Sequence, residues 1–193
     1  MTRIIQPKMW RAEKTVVLAR HLLGKYLVRR RPDGRMQAHL ITEVEAYDGE
    51  RDLASHASRG RTARTEVLYS AGGAWYVYLC YGIHEMLNLV VGPPDYPAAV
   101  LIRGIEAVAG PGRVTRTLGI GRELNGKPAS RKSGLWIEDR GVRVPRRAVR
   151  ASPRVGVHYA GPIWSAKPWR FRWEPVSAPA DGSRQAWRRR SRI

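Results

Sequence analysis

The chain has 193 residues, 43% of them hydrophobic, with one cysteine and 35 Lys+Arg against 16 Asp+Glu, for a net charge of +19. That length suits one domain with a substantial core and is short for two. No apolar run reaches the length of a membrane span, no N-terminal segment resembles a signal peptide, and a single thiol excludes an internal disulfide framework or thiolate cluster, so a reducing, cytoplasmic compartment is expected. The charge attracts polyanions, phosphate backbones first among them. Residues 174–193 hold five arginines against two acids, so most of the excess belongs to the folded body, expected at residues 1–173.

In chain order, residues 1–10 read as loose, with Trp10 as an anchor. Apolar residues at Val16, Val17, Leu18, Leu22 and Leu23 predict a packing helix over 14–23, capped by Gly24. Residues 26–28 and 37–47 read as strands of a hairpin joined by the turn Arg31-Pro32-Asp33-Gly34. Alternation along the second strand puts Glu43, Glu45 and Tyr47 on one face and Leu40, Thr42, Val44 and Ala46 on the other, core-facing one, with Glu45 at the strand end. A core has no need of that acid and ring. Short helices are expected at 52–55 and 62–70 around the basic bend Ser58-Arg59-Gly60-Arg61, with His56 between them.

Trp75 to Gly82 predicts a strand and turn returning through residues 86–91, with Tyr76 and Tyr78 sharing a face, Tyr81 near the hairpin tip and Cys80 a small buried hydrophobe. Tyrosine is a favoured strand residue, so each ring alone is ordinary. After a rigid Pro-rich loop comes a buried strand, 98–105, interrupted by Arg103. A charge there must pair with an internal carboxylate or line a site. Gly110-Pro111-Gly112 opens a basic helix with Arg113 and Arg116, suited to a phosphate at its N-terminus. Further strands are expected at 135–137, 142–144 and, last, 154–159, followed by Trp164, Trp169, Phe171 and Trp173 and then a disordered basic tail, 174–193. The five histidines lack zinc spacing, and no phosphate loop, dinucleotide fingerprint or nucleophile elbow occurs.

Together these residues resemble the alkyladenine (3-methyladenine) DNA glycosylases. The likeness runs from about Val16 to Trp173 through Leu18-Ala19-Arg20 with Leu23-Gly24, Glu43-Val44-Glu45-Ala46-Tyr47, Ser55-His56, Tyr76-Val77-Tyr78 with Tyr81-Gly82, Asn88, Val100-Leu101-Ile102-Arg103, Gly110-Pro111-Gly112-Arg113 and Arg154-Val155-Gly156-Val157. The resemblance implies a mixed α+β fold, a single compact domain with a curved antiparallel sheet at its centre and helices around it, which agrees with the hairpins and short helices read above. It also implies roles. Glu45 falls on the general base that activates water, and Arg103 and the Val155 carbonyl help hold that water. Tyr47 stacks on one side of an extruded base, His56 and Tyr78 form the opposite wall, Asn88 screens purines, and Tyr81 fills the gap left in the duplex. His84 and Glu85 after the tip, Trp75 before it and Pro162-Ile163-Trp164 depart from the pattern, which leaves the substrate range open.

The expected function is therefore excision of damaged purines, such as 3-methyladenine, 7-methylguanine, hypoxanthine or ethenoadenine, from double-stranded DNA by a monomer without metal or organic cofactor. The enzyme would act in the cytoplasm, at the nucleoid in a bacterium, and leave an intact abasic site. The alternative is a non-catalytic binder of damaged DNA or other nucleic acid on the same scaffold. Glu45 argues against it, since an acid repels a phosphate ligand.

Overall fold

The computed structural model describes residues 2–11 and 14–174; the expected tail lies outside the described residues from residue 175 onward. The elements follow the order β1 (Arg3–Ile4), α1 (Thr15–Leu22), β2 (Tyr26–Arg30), β3 (Met36–Asp48), β4 (Trp75–Cys80), β5 (His84–Val91), β6 (Ala98–Ile105), β7 (Val108–Ala109), α2 (Pro111–Leu118), β8 (Leu135–Asp139), β9 (Val149–Ser152), α3 (Gly161–Ala166) and β10 (Arg170–Trp173). Short 3-10 turns cover Pro7–Arg11, His56–Arg59, Glu66–Tyr69 and His158–Ala160, among others. The strands form one antiparallel sheet in the order β1-β8-β2-β3-β6-β5-β4, with β10 and β9 attached beside the second half of β3 and β7 on β6. The mixed α+β fold with a central antiparallel sheet is thus observed.

The apolar pattern explains the main elements. On α1 the buried residues Thr15, Leu18, Ala19 and Leu22 recur at helical spacing and face the sheet, while Val17, expected on that stripe, is rotated away and 40% exposed. Gly24 leaves the helix with φ +76°, and a Cβ there would lie 2.6 Å from Val144 Cγ2, so the exit needs glycine twice over. Trp10 is buried as the anchor of the N-terminal segment.

The 13-residue strand β3 is central. Its first half pairs with β2, its second half with β6 on one side and β10 on the other. Glu45 therefore lies inside the strand and not at its end. Register with β6 slips at Ile41, Glu43 and Val44, a bulge that breaks simple alternation: Leu40 and Ile41 are both buried and Thr42 is only half-buried. Beyond the bulge alternation is clean. Ala46, Val100, Leu89 and Trp75 lie in one register row and pack into the main core, with Val44, Ile102 and Phe171 in the next row.

The opposite face carries a different row. Arg170, Glu45, Leu101, Asn88 and Tyr76 are successive register partners across β10, β3, β6, β5 and β4. Tyr47, Tyr78 and Arg103 lie two residues along their own strands from members of that row and so share its face.

Other expectations change. Residues 52–55 form a turn that leads into the 3-10 turn at His56–Arg59, and only Glu66–Tyr69 of 62–70 is helical, also 3-10. Residues 142–144 form no strand; Val142 and Val144 pack irregularly against the core. Residues 154–159 are a loop and the start of a 3-10 turn, because the buried Arg154 side chain and Gly156, at φ +76°, take this segment out of the sheet; the strands here are β9 and β10. Cys80 is half-buried, near the tip of its hairpin. Among the described residues, no helix is long and apolar enough to cross a membrane.

Candidate active site

Glu45 is the centre of the site. It has no exposed surface, yet lies on the face away from the main core. A buried carboxylate requires partners, and three converge on it. The Val155 N–H donates to Oε1 at 2.9 Å, the Tyr47 hydroxyl donates to Oε2 at 2.8 Å, and Arg103 Nε stands 3.4 Å from Oε1. Burial pushes the Glu45 carboxyl above its ordinary range, while Arg103, the Val155 N–H and the Tyr47 hydroxyl pull it down, and neighbouring Glu43 adds to the rise. Burial comes first among these causes, and its sign prevails.

Arg103 satisfies both options open to a charge within an apolar strand. It pairs with internal carboxylates, donating from Nε to Glu43 Oε1 at 3.1 Å as well as approaching Glu45, and it lines the site. The second acid, Glu43, is also 3.6 Å from Arg170 Nη1, so the two glutamates and two arginines form one half-buried charge network.

Two aromatic walls flank the acid. On one side Tyr47 packs with Ala54, Val157, Ala160 and Trp164. Burial, then the Glu45 charge, raises its hydroxyl well above the usual phenol range, so it remains a proton donor. On the other side His56 stands edge-on to Tyr78 with ring centroids 4.5 Å apart, and Tyr76 and Tyr78 are 5.3 Å apart. Tyr76 is buried with Ala57, Leu68, Tyr69, Val90 and Ala99, and Tyr78 packs on that cluster. His56 Nδ1 lies 3.1 Å from the Tyr76 hydroxyl. Burial, then the charges of Arg64 and Arg59, lowers His56 to about 4, so a neutral ring faces the site near pH 7. Asn88, buried in the row beside Leu101, has its amide pinned by the carbonyls of Tyr76 at 3.2 Å and Met86 at 3.4 Å.

At the rim, Tyr81 occupies the tip between β4 and β5 with φ +50° and 91% of its surface exposed, and Ile83 beside it is exposed too. A tyrosine in the left-handed region without burial gains nothing from packing. The hairpin is braced instead at its foot. His84 sits on Gly112 of α2, where a Cβ would lie 2.9 Å from the imidazole, the Glu85 carbonyl accepts from Thr115 at 2.9 Å, and the Glu85 carboxylate meets Arg122 at 3.3 Å. Trp75 takes no part in the rim. It is buried in the core, and its Nε1 donates to the Leu135 carbonyl at 3.0 Å.

The fold thus gathers Glu45, Tyr47, Arg103, Val155, His56, Tyr78 and Asn88 around one face, with Tyr81 on the adjoining hairpin. At Val155 the amide N–H is the group that reaches Glu45. Sequence reasoning missed Glu43 as the acid sharing Arg103, Tyr76 as the partner of His56, and the ion pair of Arg154 with Asp52. The spacing Glu43-x-Glu45 was the available signal for the first; the others depend on contacts distant in sequence. Two surface concavities of about 490 and 750 Å3, one beside Trp10 and Val144 and one beside Arg29 and Lys132, include none of these residues. Neither combines a buried acid with aromatic walls. Among the described residues no group of three or more His, Cys, Asp or Glu is placed to hold a metal ion.

Comparison with known proteins places the chain among the DNA glycosylases, hydrolases of DNA repair: the sequence profile described as methylpurine-DNA glycosylase matches residues 9–175. The chain belongs to the methylpurine-DNA glycosylase family. It is 42% identical over 202 aligned residues to a protein of Psychrobacter cryohalolentis, covering 90% of this chain and 92% of the relative. A protein of Anaeromyxobacter dehalogenans (strain 2CP-C) is 44% identical, covering 86% and 81% of the two chains. One of Methanocella arvoryzae is 40% identical, covering 86% and 91%. All three carry the name "Putative 3-methyladenine DNA glycosylase".

Proposed function

We propose that the protein excises alkylated purines, 3-methyladenine among them, from double-stranded DNA by base flipping and hydrolysis, leaving an intact abasic site. The observation that carries this reading is the fully buried Glu45, paired with Arg103 and the Val155 N–H between two aromatic walls. The C1′–N bond of a stacked nucleotide is shielded from a carboxylate at the floor of a pocket, so the nucleotide must leave the helix, at a cost of a few kcal/mol that is smaller for a damaged pair. Tyr81, projecting from the rim, takes the vacated place in the stack. Restacking on an aromatic ring contributes about 1–3 kcal/mol.

Within the pocket Tyr47 faces one side of the base and His56 with Tyr78 the other. Aromatic faces favour an electron-poor, cationic base over a normal purine, and the neutral His56 adds no opposing charge. Asn88, its amide fixed, tests the purine edge. As the C1′–N bond breaks, its electron pair returns to the base, which leaves neutral if it was cationic. Charge develops on the sugar, where the Glu45 carboxylate stabilises it. Water attacks C1′, and Glu45 accepts the water proton. Arg103 keeps that carboxylate ionised and oriented.

The test is single-turnover base release from duplexes carrying one defined lesion. Glu45→Gln should reduce release by at least about 100-fold with affinity for lesion DNA kept or raised, since general-base assistance contributes about 10²–10⁴-fold. Release within tenfold of the wild type would leave a non-catalytic binder as the better reading.

A further inference from the structure

Arg154 and Asp52 form a salt bridge whose side chains are both fully buried. The guanidinium donates from Nη1 to Asp52 Oδ2 at 2.5 Å and to the Ala46 carbonyl at 2.8 Å, and from Nη2 to Asp52 Oδ1 at 2.8 Å and to the Trp164 carbonyl at 3.3 Å. Its Cζ lies 4.8 Å from the Tyr47 ring centroid and 5.1 Å from that of Trp169. Asp52 in turn accepts the backbone N–H of Asp48 and of Ala54, each at 3.1 Å. Arg154 Nε is buried with no partner.

Each contact leads to a group already in the site. Ala46 lies between Glu45 and Tyr47 on β3. Val155, next to Arg154, donates its N–H to Glu45. Asp52 holds the end of β3 through Asp48 and starts the segment that delivers His56 two residues after Ala54. Trp164 and Trp169 support the Tyr47 wall. A buried ion pair adds little net stability beside well-packed apolar residues of similar size, and here one donor is left unsatisfied. What a planar fork supplies that apolar groups do not is direction, fixing several acceptors at once.

We propose that the Arg154–Asp52 pair is the positioning element of the active site: it locks the loop bearing Val155 onto β3 so that the Val155 N–H reaches Glu45, and it holds the His56 segment in register with the same carboxylate. Neither residue touches the reacting atoms. The inference rests on the reading of Glu45 as the base.

Its signature is a change in the acid limb of the pH–rate profile. The groups facing Glu45 are Glu43 and Tyr47 on its own strand, Arg103 on β6, Arg170 on β10 acting through Glu43, and the Val155 amide from the loop. Of these, the Val155 amide is held by its chain neighbour Arg154, and the Tyr47 ring packs on the Arg154 guanidinium. The experiment uses the full chain carrying Arg154→Met with Asp52→Asn, which removes both buried charges while the one amide oxygen still accepts either the Asp48 or the Ala54 N–H group. Single-turnover excision should slow about 10- to 100-fold, the usual effect of displacing a catalytic group by about 1 Å. The midpoint of the acid limb should rise by about one pH unit, the size of one lost hydrogen bond to a charged acceptor. Affinity for undamaged duplex should be unchanged.

A folded double variant with wild-type rate and midpoint overturns the proposal. Should the double variant fail to fold, Arg154→Lys decides: it keeps a cation beside Asp52 but lacks the fork, so the midpoint should again rise, and an unmoved midpoint with full rate overturns the proposal. Glu45→Gln run in parallel separates the two claims. If it remains active, the base assignment falls. If it is inactive while the Arg154 variants behave as wild type, only the positioning role falls.

Discussion

Glu43 and Glu45 share one cation, with Arg103 Nε 3.1 Å from Oε1 of the first and 3.4 Å from Oε1 of the second. The geometry sets a competition: the acid that donates nothing to the pocket takes the shorter contact. Burial already holds Glu45 above the usual carboxylate range, and Glu43 lifts it further. A base works as the anion, so excision should rise with pH through this raised value, above the ordinary glutamate midpoint of about 4.3. Glu43→Gln removes the like charge and leaves Arg103 to Glu45, so the acid limb should move to lower pH. Single-turnover excision measured across the acid range checks this, and an upward shift would contradict it.

His56 gives a prediction about stability. Folding lowers its midpoint to about 4, whereas an unfolded imidazole titrates near 6.5. The unfolded chain therefore binds the proton first. The folded state should be fully favoured above about pH 6.5 and lose stability as pH falls toward 4. In His56→Gln, which keeps a neutral polar partner for Tyr76, the melting temperature should fall less over the same interval. Equal falls in both proteins would show that the imidazole protonates in place without penalty.

Tyr81 separates rim from scaffold. With 91% of the residue's surface exposed, Tyr81→Ala should leave the melting temperature almost unchanged. Affinity for lesion duplex should drop about 5- to 150-fold, the equivalent of one base–aromatic stack of about 1–3 kcal/mol. A large loss of stability with intact binding would place the ring in a packing role.

The product is expected to be an unbroken strand with an abasic site. Strand-cleaving glycosylases attack the sugar with an amine. Lys25 is engaged with Asp139 at 2.8 Å, and Lys167, far from Glu45 in sequence, lies over the rings of Trp164 and Trp169 at 4.2 and 4.6 Å, beyond the Tyr47 wall. A guanidinium such as that of Arg103 is a very poor amine nucleophile. Borohydride added during turnover should therefore trap no protein–DNA crosslink. A crosslink abolished by Lys167→Ala would overturn the water-only reaction.

Much of this arrangement is legible in the chain, and the failures have physical causes. The hairpin carrying Tyr81, the strand Ala98–Ile105 and the pairing of Arg103 with a carboxylate follow from local rules: alternation, a Gly-marked turn, and the cost of an unpaired buried charge. The bulge in β3 does not, because nothing in Leu40-Ile41-Thr42 marks the slip that buries two neighbours. The segment after Ser152 was misread because Arg154-Val155-Gly156-Val157 alternates like a strand, while its course is set by a carboxylate 102 residues away. The pocket acid was recognisable by its surroundings. The pair that holds it in place was not, since both members look like surface charges until the chain is folded.

The row Arg170, Glu45, Leu101, Asn88 and Tyr76 also has a consequence for biosynthesis. Glu45 is made well before its ladder partner on one side, Arg170 of β10, which lies more than half the described chain further on. Until then that flank of β3 is an open edge, with the acid lacking both Arg170 opposite and the Val155 amide that follows β9. Such non-local pairing is slow to form, and at about 5–20 residues per second the nascent chain spends several seconds before Glu45 can meet Arg170. Glu45 should acquire its full set of partners only once β10 has been made and has closed the sheet around it.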